Sequence, residues 1–91
     1  METTVFLVKG TFTLSWTATA DSGSKCSDVG VSVDVDPAGS NVNSVMPSGE
    51  YLQFGCQLHD TQVSGVSGRQ FLYITAPFGT AHVRISGPIT P

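Results

Sequence analysis

The chemistry-bearing residues are few: two histidines, two cysteines and seven carboxylates in 91 residues. His59 stands beside Asp60, and many serines are available to complete a Ser-His-Asp set. Neighbours in a strand point to opposite faces, so His59 and Asp60 are not expected to hydrogen-bond. Gly65-Val66-Ser67-Gly68-Arg69 approaches a nucleophile elbow but lacks the final glycine of Gly-x-Ser-x-Gly, and no helix follows it. No catalytic residue is expected, and the chain is read as not an enzyme. Cys26, Cys56, His59 and His82 are enough in number for zinc. They contain no Cys-x-x-Cys or His-x₃-His pair, so no metal or other cofactor is expected from them.

A weak calcium candidate is Asp34-Val35-Asp36-Pro37-Ala38-Gly39-Ser40-Asn41, with Asp34, Asp36 and Asn41 as oxygen ligands. The third acidic position and the distal Glu of an EF-hand are missing, and Asp-x-Asp-Pro is also ordinary turn sequence. A glycan reading rests on Tyr51, Gln53 and Gln57 as one polar-aromatic stripe, with Tyr73 as a further stacking platform. The competing reading is that Tyr51 and Tyr73 cover the outside of a sheet. Cys26 and Cys56 either form a bridge, closing a loop of about 30 residues, or stay as two thiols with Cys56 packed as a small hydrophobe.

These residues are positioned by strands. Residues 11–20 alternate without a break: Phe12, Leu14, Trp16, Ala18 and Ala20 on one face, Thr11, Thr13, Ser15, Thr17 and Thr19 on the other. Only a half-buried β-strand gives that pattern, and Trp16 falls on its core side. Val29, Val31, Val33 and Val35 predict another strand, ended by Pro37. Val5–Val8, Val42–Met46, Glu50–His59, Arg69–Thr75 and Thr80–Ser86 complete about seven. In Glu50–His59, Leu52, Phe54, Cys56 and Leu58 are expected inward, with Tyr51, Gln53, Gln57 and His59 outward. Phe71 is expected on the exposed side. Asp60–Gly68 reads as a long loop or poor edge strand, Ala76–Gly79 as a tight turn, and 86–91 as a terminal extension.

No 3.6-residue periodicity survives anywhere. The expected fold is therefore all-β: a single domain, 1–91, forming a small antiparallel β-sandwich, Ig-like or jelly-roll-like, without helices. An antibody-type domain does not fit, because Trp16 precedes both cysteines. Gly79-Thr-Ala-His-Val-Arg-Ile-Ser-Gly87 resembles the Gly-Thr-Tyr-Tyr-x-x-Val-Ser-Gly ending of pre-peptidase and related Ig-like sandwiches, and Ser48-Gly49-Glu50-Tyr51-Leu52 resembles a turn-strand start in them. Such modules occur on bacterial secreted proteins, and similar sandwiches on phage particles. The resemblance implies a fold and carries over no functional residue.

Composition narrows the partners. The net charge is −3, and the four cations Lys9, Lys25, Arg69 and Arg84 are scattered, which argues against nucleic acid. No apolar run approaches the length that spans a bilayer. The first residues carry Glu2 where a secretory signal carries a base, so no signal peptide is expected. Only 12% of residues are charged, about half the usual share. Few charges, a Thr-rich strand face and open sheet edges suit contacts with other protein chains. The sequence is thus read as a non-enzymatic structural or assembly module of a larger particle, such as a virion (capsid, decoration or tail accessory), acting as a homo-oligomer or on a host particle. The alternative is a secreted, extracellular bacterial module for glycan binding or adhesion.

Overall fold

The computed structural model describes residues 3, 5–39 and 48–90. Among them are eight strands: β1 (Phe6–Val8), β2 (Phe12–Ala20), β3 (Gly30–Pro37), β4 (Gly49–Phe54), β5 (His59–Val63), β6 (Gly68–Thr75), β7 (Gly79–Ser86) and β8 (Ile89–Thr90). The remaining element is a single 3₁₀ turn at Cys26–Asp28. The strands form two antiparallel sheets, one ordered β4-β3-β6-β1-β8 and the other β5-β2-β7. No helix among the described residues is long and apolar enough to cross a membrane.

The alternating runs drive this arrangement. Phe12, Leu14, Trp16 and Ala18 on β2 are buried, as are Val31, Val33 and Val35 on β3 with Val29 just before it. Leu72 and Ile74 of β6 lie inward beside these valines, through the pairs Val35↔Leu72 and Val33↔Ile74. On β7, Ala81, Val83 and Ile85 pack against the core, while His82 and Arg84 are exposed, as the alternation predicts. Phe6 meets Phe12 edge-on, ring centroids 5.8 Å apart. Every connection except β3 to β4 passes from one sheet to the other.

Three expectations are corrected. The run Glu50–His59 is not one strand. Gly55 adopts φ 104°, a left-handed conformation that glycine enters freely, and the chain turns there from β4 to β5 in the opposite sheet. The alternation therefore does not carry through: Leu52, Phe54 and Leu58 are exposed, while Tyr51 packs against the core. Of the two readings of Asp60–Gly68, the edge strand is the one found for its first residues, which together with His59 pair with β2 from Phe12↔Val63 to Trp16↔His59. The tail is not a mere extension, since Ile89 and Thr90 pair with Val8 and Leu7. Phe71, expected outside, is only 6% exposed. Val42–Met46 and the Asn41 ligand position lie outside the described residues.

Trp16 is 2% exposed at the centre of the three-stranded sheet. Trp16→Ala is expected to lower stability by about 3–5 kcal/mol through the void it leaves. Urea unfolding of both proteins measures this, and a loss below about 1 kcal/mol would contradict the burial described.

Candidate functional site

The most distinctive surface is the edge strand β4 and the sheet face beside it. Its position is pinned at both ends. Ser48 N–H donates to the Val35 carbonyl at 2.6 Å, and Ser48 Oγ donates to Gln70 Oε1 at 3.0 Å. Gln70 is buried, and its Nε2 donates to the Ser67 carbonyl at 2.9 Å, so both ends of its amide are satisfied. Beyond the strand, Gly55 N–H donates to the Val29 carbonyl at 2.9 Å. Between these anchors the register is Val33↔Tyr51, Ser32↔Leu52 and Gly30↔Phe54. Val33 points inward, so Tyr51 does too, and Leu52 and Phe54 point out at 57% and 61% exposure. The Phe54 ring covers Gly30: a β-carbon there would meet the ring at 3.0 Å.

An acidic band adjoins this apolar pair. Asp34 sits between Glu50 on β4 and Tyr73 on β6, and Asp36 lies opposite Phe71. Partial burial, then Glu50, then Asp36, raise the Asp34 carboxyl above its ordinary range. By register Asp34 and Asp36 share one face of β3, but Asp36 is only 2% exposed, and the third ligand, Asn41, is outside the described residues. Among those residues no group of three or more His, Cys, Asp or Glu is placed to hold a metal ion.

The cysteines are joined: Cys26–Cys56 links the β2–β3 crossing to the β4–β5 crossing, Cα atoms 5.3 Å apart. The residues it joins lie where chain 55–56 hydrogen-bonds to both sheets, through Gly55 N–H to Val29 and through Ala18 N–H to the Cys56 carbonyl at 3.2 Å. A bridged pair has no thiolate to offer zinc. His59 turns inward rather than outward. It pairs with Trp16, ring centroids 5.8 Å apart, and its Nε2 and the Trp16 Nε1 are buried with no hydrogen-bond partner among the described residues. Asp60, on the opposite face, accepts a hydrogen bond from Ser15 Oγ. No hydrogen bond joins a serine to either histidine among the described residues, and Ser67 instead uses its carbonyl to hold Gln70.

The glycan stripe is not assembled. Tyr51 and Gln53 project toward the inner side of the edge, Tyr73 toward the outer face, and Gln57 lies past the end of β4, its Nε2 donating to the Phe54 carbonyl at 3.5 Å. A different concavity, mixed polar and apolar, opens on the outer face of the three-stranded sheet, about 580 Å³ in volume, with Ser15, Thr17, Leu58, Asp60, His82 and Arg84 among its lining residues beside Trp16 and Val83. Sequence reasoning missed this grouping, since three strands distant in the chain supply it.

Compared with known proteins, the chain matches no family model, no curated protein and no solved structure.

The Asp34 environment has a signed consequence. Its folded-state affinity for a proton exceeds the unfolded one, so its effect on stability becomes less favourable as pH rises through that window. Asp34→Asn is expected to raise the melting temperature at pH 7, with the gain disappearing below roughly pH 4, where Asp is protonated in both states. A lower melting temperature for Asp34→Asn at pH 7 would contradict this.

Proposed function

We propose that this protein is a structural assembly module, a disulfide-bridged β-sandwich that joins copies of itself through the β4 edge as part of a larger particle such as a virion. It acts by protein contacts, not catalysis. The observation that carries this reading is the exposure of Leu52 and Phe54 on a strand that lies at the margin of the five-stranded sheet among the described residues. An edge strand presents unpaired backbone groups, and edges are commonly blunted with Lys, Pro or bulges. β4 reads Gly-Glu-Tyr-Leu-Gln-Phe, with Glu50 its single charge and neither Lys nor Pro.

A second copy fits this edge by its own pattern. A two-fold axis through Leu52 pairs Leu52 with Leu52 and Tyr51 with Gln53 in antiparallel register. Phe54 of each copy then lies diagonal to Leu52 of the other, within reach for apolar contact. The two Glu50 side chains fall at opposite ends of the paired segment, so like charges stay apart. The result is one continuous sheet running through both copies, with the Leu52 pair at the centre of its outer face and each Phe54 opposite the other copy's Glu50.

Light scattering from low micromolar to millimolar protein tests this. The mass is expected to rise from 9.5 kDa toward twice that value. Leu52→Lys, at an exposed position, is expected to leave the melting temperature nearly unchanged. It places a desolvated charge in the pair and weakens association by about tenfold or more. A constant monomer mass over the whole range overturns the proposal, as does association indifferent to Leu52→Lys.

A further inference from the structure

The concavity on the three-stranded sheet is built by register. Ser15 of β2 is paired on one side with Asp60 of β5 and on the other with Arg84 of β7. Asp60 and Arg84 therefore face each other across Ser15, two strand spacings or about 10 Å apart along the backbone. No ion pair joins them among the described residues. The next outward row brings Thr17 beside His82. Leu58, 62% exposed, closes one side.

The hydrogen-bonding capacity left over is specific. Ser15 gives its proton to Asp60, so its oxygen keeps lone pairs and Asp60 keeps further acceptor sites. Arg84, which lines the groove, has no hydrogen-bond or ion-pair partner among the described residues, so its forked N–H donors are uncommitted. One carboxylate and one guanidinium cancel in charge, which disfavours an anion and disfavours a cation equally. The walls present acceptors on one side, donors on the other, hydroxyls on the floor and an aliphatic side chain at the margin. The volume, about 580 Å³, falls within the range of small-molecule sites.

We infer that this groove binds a neutral saccharide, one pyranose ring lying between Asp60 and Arg84. Adjacent ring hydroxyls donate to the Asp60 carboxylate. Arg84 donates to a hydroxyl or ring oxygen, Thr17 and His82 complete the polar contacts, and Leu58 covers part of the apolar C–H face. The site is on the sheet opposite β4, so it stays open when copies associate through that edge. It does not depend on that association.

The test is a two-dimensional amide NMR titration of the full chain with neutral methyl glycosides of glucose, mannose, galactose and N-acetylglucosamine, and with inorganic phosphate and acetate as anion probes. At least one glycoside is expected to shift the amides of Ser15, Thr17, Leu58, Asp60 and Arg84, while the anions do not. Asp60→Asn and Arg84→Met are each expected to weaken binding about tenfold, the scale of losing a hydrogen bond to a charged group. Leu58→Ala, at an exposed position that leaves the core intact, is expected to weaken it several-fold. The same titration in Leu52→Lys separates the two proposals, since saccharide binding should survive the loss of association. No shift with any glycoside through about 50 mM, where even a millimolar site is nearly saturated, overturns the inference. So does phosphate or acetate binding in their place, or saccharide binding unchanged in both Asp60→Asn and Arg84→Met.

Discussion

The structure turns on how β4 is clamped to β3. Ser48 is held by the Val35 carbonyl and by the buried amide of Gln70, and Gly55 by the Val29 carbonyl. These three bonds leave one register, Val33 opposite Tyr51. A shift of one residue would reverse every side chain on the strand, sending Leu52 and Phe54 inward and Tyr51 outward. The character of the β4 outer face, apolar at Leu52 and Phe54 and acidic at Glu50, follows from that single choice.

Burial alone does not make this choice, because five strands lie over three. The inner strands β3, β6 and β1 are covered by the smaller sheet, and their inward residues are buried. The marginal strands β4 and β8 overhang, so their inward residues Tyr51 and Ile89 are only partly covered. On β4 the apolar side chains therefore gain little by turning in, and the polar clamp decides. The next residues must then cross to the other sheet, and Gly55 makes the corner. The Cys26–Cys56 bridge fastens that corner to the other crossing at the same end. Restricting the unfolded chain in this way contributes about 3–4 kcal/mol, a large share of the stability of a small domain.

Much of this was legible in the residues. β2 and β7 follow from strict two-residue alternation, because each is covered on one face and more open on the other, and Trp16 sits where that alternation puts it; the valines of β3 alternate in the same way, although Asp36 on its other face is also buried. The Glu50–His59 run misleads for a physical reason. Leu52, Phe54, Cys56 and Leu58 keep the period of two straight across Gly55, but a left-handed residue at that point changes the sheet and resets the phase. The groove was not legible, because Ser15, Asp60 and Arg84 meet through a register between strands far apart in the chain. Alternation tells which face a residue takes. It does not tell which strand lies beside it.

The central proposal is that β4, held in this register, offers its outer edge, unpaired among the described residues, to a second chain. Amide hydrogen exchange along residues 49–54 at low and at high protein concentration tests it most directly. The account predicts that β4 amides directed away from β3 exchange quickly in dilute solution and gain protection as concentration rises, while β2 and β6 stay unchanged. Exchange along β4 that is the same at both concentrations would contradict it.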